Sequence, residues 1–151
     1  MNPTNRPITM YHGTSEASAQ SILDQGIDID AERRRDPGDF GWGFYLTGER
    51  ERAARMGRVV LSVTINVARF AFLEFPYFII PGGVYVQPRN DIERLFHGLV
   101  FDESNRMMTC TGPLHRRVDA ARRVRDGFIE HGFAGITTMH DGTETVVFDS
   151  A

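Results

Sequence analysis

Residues 12–29 read His-Gly-Thr-Ser-Glu-Ala-Ser-Ala-Gln-Ser-Ile-Leu-Asp-Gln-Gly-Ile-Asp-Ile, and the residue pattern changes character twice within them. Just before, Ile8 to His12 is short, β-prone and closed by Gly13, as a strand is. Thr14 or Ser15 suits a helix N-cap, with Glu16 in the first turn. Ala19, Ile22 and Leu23 recur at helical spacing, and Gly26 suits the C-cap. Ile27 to Asp30 opens another short segment. A strand that turns directly into a helix leaves His12, Gly13 and Thr14 at a strand end.

Outward from there, residues 1–7 read as a loose arm. Residues 31–43 hold Arg33-Arg34-Arg35, then Asp36-Pro37-Gly38-Asp39 and Phe40-Gly41-Trp42-Gly43, so turn formers make this a loop. Phe44 to Thr47 leaves the loop as a strand. Glu49 to Met56 is helical in composition and ends at Gly57. Arg58 to Val67 alternates, with Val59, Leu61, Val63, Ile65 and Val67 on one face of a strand. Phe70 to Ile80 is apolar and reads as core, but Pro76 keeps it from being one regular element. Val84 to Val86 suits a short strand and Asp91 to Phe96 a short helix, with 98–112 irregular. Pro113 to Ile129 is the clearest helix, with Leu114, Val118, Ala121, Arg125 and Phe128 on one face and Val124 beside it. His131-Gly132 ends it. Ile136 to Met139, the turn signal Asp141-Gly142 and Thr143 to Phe148 form a closing hairpin. The expected class is α+β, with short, mostly antiparallel strands and no regular β-α-β alternation.

The chain has 151 residues, which suits one domain over 1–151. Its 17 basic and 20 acidic residues give a net charge of −3, so a strongly basic nucleic-acid coat is excluded while a local patch is not. Every basic residue is arginine, a pattern that fits a GC-rich genome; Schiff-base and P-loop lysine chemistry are excluded. Cys110 is the only cysteine, so no intrachain disulfide or thiolate zinc cluster is expected. No window approaches ~18 uninterrupted apolar residues, so no membrane association is expected. The start has no secretory pattern, so a cytoplasmic protein is expected, although a toxin or effector delivered by another route would look the same.

Standard phosphate and hydrolase motifs fail. Gly38-x-x-Gly41-x-Gly43 lacks the dinucleotide spacing and precedes a strand rather than a helix. His12, His97, His115, His131 and His140 have no metal-ligand spacing with Cys110, and no metal is expected. What remains is three segments far apart in sequence: Tyr11-His12-Gly13-Thr14, Gly41-Trp42-Gly43-Phe44-Tyr45-Leu46-Thr47, and Glu144-Thr145-Val146-Val147-Phe148-Asp149. Each alone reads as structure: a turn histidine, a core tyrosine, a solvated strand end.

In that order, however, they resemble the ADP-ribosyltransferase superfamily, in the His-Tyr-Glu branch of poly(ADP-ribose) polymerases and diphtheria-type toxins. HGTSEASAQSILDQGIDI is similar to the branch's His-Gly-Ser, amphipathic helix and Gly-Leu/Ile-x-Ile. FGWGFYLT is similar to Phe-Gly-x-Gly-Ile-Tyr-Phe, and ETVVFD to Glu-Tyr-Ile-Val-Tyr. Residues 66–112 have no counterpart. The resemblance implies a split pair of antiparallel sheets with an NAD cleft between them and a few flanking helices.

It also implies roles. The catalytic set would be His12, Tyr45 and Glu144. Tyr45 would face the cationic nicotinamide ring, an attraction of about 0.5–2 kcal/mol. Gly13 would let backbone approach the carboxamide, His12 would bond the adenine-side ribose, and Thr14 would add a hydroxyl contact. Arg35, Phe40, Gly43 and Met56 complete the expected NAD set. Glu144 would stabilise the oxocarbenium-like sugar and orient the acceptor. Two positions depart from the polymerase pattern. Its helix Ser and second Tyr fall on Ala53 and Met56, so a thioether would cap the ring. This favours transfer of a single ADP-ribose over chain elongation.

Three functions are therefore compared. One is an NAD-dependent mono-ADP-ribosyltransferase with a macromolecular acceptor, protein or nucleic acid. Another is a toxin-like NAD glycohydrolase. The last is a catalytically silent module binding NAD, ADP-ribose or nucleic acid, against which the intact Glu144 argues. Arg33-Arg34-Arg35 suits either the NAD pyrophosphate or solvent. Arg116, Arg117, Arg122, Arg123 and Arg125 suit a solvated helix face better than a binding patch.

Overall fold

The computed structural model describes residues 7–27, 41–73, 79–80, 84–85, 87–102, 107–108, 114–138 and 144–148. The expected loop tip with Arg35 and Phe40, the Asp141-Gly142 turn and residues 74–78 of the apolar stretch lie outside them.

Strand β1 runs over Pro7–Thr14 and leads straight into helix α1, Glu16–Gln25. Ser15 is the N-cap, its side chain accepting from Ser18 N, and Gly26 closes the helix at φ 82°, a conformation that favours glycine. Strand β2 is Phe44–Thr47, helix α2 Arg50–Met56 and strand β3 Val59–Asn66. A 3₁₀ turn, Val67–Arg69, passes into β4, Phe70–Leu73. The long sequence-read strand thus ends one residue early, where Asn66 Oδ1 accepts from Ala68 N. Two short ribbons follow, β5 (Ile79–Ile80) with β6 (Val84–Tyr85) and β7 (Phe101–Asp102) with β8 (Met107–Met108). Strands of two residues carry no visible alternation, which is why 98–112 reads as irregular. Helix α3 covers Asp91–Val100, α4 Leu114–Glu130, and strands β9 (Gly135–Thr138) and β10 (Glu144–Val147) close the described chain.

The α+β class holds: among the described residues six strands form one sheet in the order β3-β1-β2-β10-β9-β4, flanked by four helices. Every pairing is antiparallel except β4 with β9. β1 and β3 pair over eight residues, but β1 meets β2 at the single register pair Tyr11↔Thr47. Hydrogen bonding makes this one sheet rather than two, with its weakest joint between β1 and β2.

Alternation sends each half's apolar residues to the two faces. On one face, Met10, Phe44 and Leu46 form a cluster with Ile22 of α1 and with Val63 and Ile65 of β3. On the other, Ile136, Val146, Ala71 and Leu73 pack with Phe96 and Val100 of α3 and with Val124 and Phe128 of α4. The stripe that α4 buries is Ala120, Ala121, Val124 and Phe128. Leu114, on the expected face, is 44% exposed, because it sits at the helix's first residue, beyond the core. Within the apolar stretch Phe70, Ala71 and Leu73 are buried, as read, and Phe72 is partly exposed.

Helix α3 lasts one turn longer than its sequence signal, and its start is firmly held. Asn90 Oδ1 accepts from Glu93 N at 2.8 Å, while the fully buried Glu93 carboxylate accepts from Asn90 Nδ2 and from the Arg89 backbone and guanidinium. This is a reciprocal capping arrangement.

Candidate active site

A cavity of about 400 Å³ opens on the face shared by Tyr45 and Val146. Its described lining is Tyr11, His12 and Gly13 of β1, Tyr45, Leu46 and Thr47 of β2, Arg52, Ala53 and Met56 of α2, and Glu144 of β10. The size falls within the range of small-molecule sites.

The floor follows from register. Tyr11↔Thr47 and Thr47↔Glu144 are partners, so a phenol, a hydroxyl and a carboxylate stand in one row across three strands. Two residues along, alternation returns the same face. There β10 presents Val146 beside Tyr45, and continuing the β1 register puts Gly13 across from Tyr45. A polar row carrying Glu144 thus lies next to an aromatic row carrying Tyr45.

His12 occupies the joint. Its Nδ1 lies 2.8 Å from the Tyr45 carbonyl oxygen. A carbonyl only accepts, so Nδ1 carries the proton and donates. The imidazole therefore makes the link that a backbone N–H would make if the β1–β2 ladder continued. Its ring also lies over Phe44, centroids 4.1 Å apart. Tyr45 is fixed at its far end, its hydroxyl donating to the Gly41 carbonyl at 2.7 Å, and its body packs against the α3–α4 core.

Helix α2 forms the roof because two glycines let it approach. A Cβ on Gly13 would sit 1.8 Å from the Ala53 carbonyl oxygen, and one on Gly57 2.5 Å from Thr14 N. Thr47 Oγ1 accepts from Glu49 N at 3.3 Å, steadying the turn from β2 into α2. Ala53 is buried against β1, while Met56 is 76% exposed at the rim.

Of the residues singled out from sequence, His12, Gly13, Tyr45, Met56 and Glu144 come together here. Thr14 and Gly43 are absent from the described lining. Thr14 is buried opposite Val59. Gly43 is glycine because a Cβ would meet Val146 Cγ2 and the Val147 carbonyl at 2.5 Å; it makes room for β10. Arg35 and Phe40 lie outside the described residues. Tyr11, Thr47 and Arg52 line the cavity without having been singled out. Tyr11 and Thr47 stood inside the quoted segments, and Arg52 precedes Ala53 and so shares the helix turn that faces β1.

Among the described residues no group of three His, Cys, Asp or Glu side chains could hold a metal ion, and no helix is long and apolar enough to cross a membrane. Arg116, Arg122 and Arg123 are exposed, whereas Arg117 and Arg125 are partly covered. Arg122 lies over the buried Trp42 ring, 4.9 Å from its centroid, a stacking contact. Compared with known protein families and with curated proteins, the chain matches none.

Proposed function

We propose that the protein is an NAD-dependent mono-ADP-ribosyltransferase of the His-Tyr-Glu kind, acting on a macromolecular acceptor. The observation that carries this reading is convergence: three segments far apart in sequence deliver His12, Tyr45 and Glu144 to one cavity of about 400 Å³. Beneath that cavity β1 and β2 meet at one register pair, so the cavity floor spans the narrowest joint of the sheet.

The residues suit NAD as substrate. Tyr45 offers a fixed aromatic surface to the cationic nicotinamide ring. His12, held by the Tyr45 carbonyl, lines the cavity on the β1 side, where by the family resemblance the ribose of the adenosine half would lie. Glu144 supplies the negative charge beside the nicotinamide ribose. As the glycosidic bond breaks, its electron pair passes to the ring nitrogen and neutralises it, and positive charge grows on the sugar. A preorganised carboxylate stabilises that charge, and an acceptor oxygen or nitrogen then bonds to the sugar's anomeric carbon as its proton passes to Glu144. The exposed Met56 covers the ring more loosely than a second tyrosine would, which suits a single transfer.

The test is nicotinamide release from NAD by purified protein, wild type beside Glu144→Gln, without and with cell lysate as acceptor source. Release that lysate stimulates, cut about a hundredfold or more by Glu144→Gln with NAD binding retained, is the expected result. Lysate-independent release would make the protein a glycohydrolase. Equal release by the variant would remove Glu144 from catalysis, and NAD binding without release would leave a binding module.

A further inference from the structure

We propose that Tyr11 is a specificity-determining residue of the cavity, whose ring takes the adenine base of the dinucleotide. The inference deepens the transferase reading above and rests on it.

Two tyrosines line the cavity, one on each side of the joint between β1 and β2, and the fold treats them differently. Tyr45 is built into the protein: its hydroxyl donates to the Gly41 carbonyl and its body packs against the α3–α4 core. Tyr11 is partly buried but belongs to none of the three apolar clusters of the described residues. Nor, among the described residues, does a hydrogen bond, ion pair or ring contact engage its side chain. A tyrosine that lines a cavity without joining the core offers its apolar surface to a ligand. Aromatic surface is what small-molecule sites use to recognise planar groups.

Register decides which part of the ligand it meets. Tyr11, Thr47 and Glu144 are successive partners across β1, β2 and β10, so they share one face of the sheet. Two strand spacings, about 10 Å, separate the Tyr11 and Glu144 backbones. On the transferase reading, Glu144 meets the nicotinamide ribose and Tyr45 the nicotinamide ring, both on the β2–β10 side. The base beyond the pyrophosphate then lies over β1, the side to which the resemblance also assigns the adenosine ribose. Further along β1, Gly13 is taken up by the seating of α2 on Ala53. His12, the other ring on β1, already lies over Phe44. On the outer flank of Tyr11, its β3 partner Ser62 is exposed, so the row ends in solvent rather than in core. A dinucleotide carries two planar bases, and the cavity meets them with one tyrosine on each side of the joint.

The experiment compares Tyr11→Phe, which keeps the ring, with Tyr11→Leu and Tyr11→Thr, which remove it; threonine keeps a good strand former in place. Each is measured beside wild type for kcat and KM of nicotinamide release from NAD. Inhibition by free nicotinamide is measured as well, because it reports the Tyr45 end alone. A further readout needs no reaction: the affinity of ADP-ribose by calorimetry. In the ringless variants KM for NAD and Kd for ADP-ribose are expected to rise roughly tenfold, as for a lost base-stacking contact. Tyr11→Phe is expected to keep wild-type values, and kcat and the nicotinamide inhibition constant to stay unchanged throughout. Thermal midpoints report that each variant is folded. In wild type, ADP-ribose should also shift the Tyr11 ring ¹H resonances, identified by their loss in Tyr11→Thr and Tyr11→Leu. Ringless variants with wild-type KM and Kd, or unshifted ring resonances, overturn the proposal. An equal rise in the nicotinamide inhibition constant also overturns it, since Tyr11 would then support the cavity as a whole. If wild type releases no nicotinamide, the transferase reading falls and ADP-ribose alone decides. Weaker binding without the ring and full binding in Tyr11→Phe support the base contact; equal binding, or none in wild type, overturns it.

Discussion

Gly13 shows how one residue can carry two reasons for its identity. In the sequence it stands beside His12 at a strand end and suggests close approach to a ligand. In the fold, the space its side chain would take is filled by the Ala53 carbonyl oxygen, 1.8 Å from where a Cβ would lie. Its first duty is therefore to seat α2 on β1, and the cavity exists because α2 is seated. Gly13→Ala must displace α2, since a backbone oxygen cannot rotate away as a side chain can. The expected cost is about 1–3 kcal/mol or more, as for overpacking elsewhere, together with, on the proposed transferase reading, weakened NAD binding. Urea unfolding and calorimetry measure the two, and an alanine variant matching wild type in both would refute the packing argument. Gly26 is different: a side chain there meets nothing, and the constraint is its φ of 82°. His12, Tyr45 and Glu144 were legible because each sits in a recognisable segment. Arg52 was not, because it belongs to no motif: it reaches the cavity only when α2 folds over β1.

Among the elements, α1 and α3 contrast in how readable they were. The boundaries of α1 follow from Ser15 and Gly26, both doing what those residue types do at helix ends. The start of α3 depends on an interaction that a pattern of apolar residues does not report: a charged residue, Glu93, that is fully buried. Charged side chains are seldom fully buried unless paired, and here Arg89 and Asn90 supply the partners from the turn before the helix. Substituting Glu93 removes the reciprocal half of the cap and leaves those donors to solvent. Glu93→Ala is expected to cost about 2 kcal/mol, between an ordinary cap and a hydrogen bond to a charged group. A urea titration with unchanged slope and a lowered midpoint would register it. Because α3 contributes no residue to the described cavity lining, the NAD affinity that the proposed reading assigns to the cavity should stay as in wild type. A cost below ~0.5 kcal/mol would put Glu93 among ordinary surface substitutions.

At the scale of the whole molecule, the sheet is two well-paired parts meeting at a narrow joint. Eight register pairs hold β1 to β3 and four hold β2 to β10, whereas one pair, Tyr11↔Thr47, joins β1 to β2. The class and most strand ends were legible because alternation and turn residues are local. The joint was not, since the length of a ladder between β1 and β2 depends on how residues far apart in sequence come to lie. What replaces the missing ladder is His12, bonded to the Tyr45 carbonyl and stacked on Phe44, with α2 bracing β1 from the cavity side. A cavity floored across this joint, by Tyr11 and Gly13 on one part and Tyr45, Thr47 and Glu144 on the other, is sensitive to any change in the angle between them. Stability within a fold is uneven, and thinly bonded regions open first. Amide hydrogens of Tyr11 and Thr47 are therefore expected to exchange with solvent faster than those of Ile136 and Val146, which lie inside the α3–α4 core. His12→Ala removes both the bond and the stack and should speed exchange at Tyr11 and Thr47 further. Ile136 and Val146 should be left nearly unchanged, because the parts are cohesive in themselves. Residue-resolved hydrogen exchange on wild type and variant tests this directly. Uniform acceleration at all four positions would mean the sheet opens as one unit, and His12 would then be a general core residue rather than the clasp between two parts.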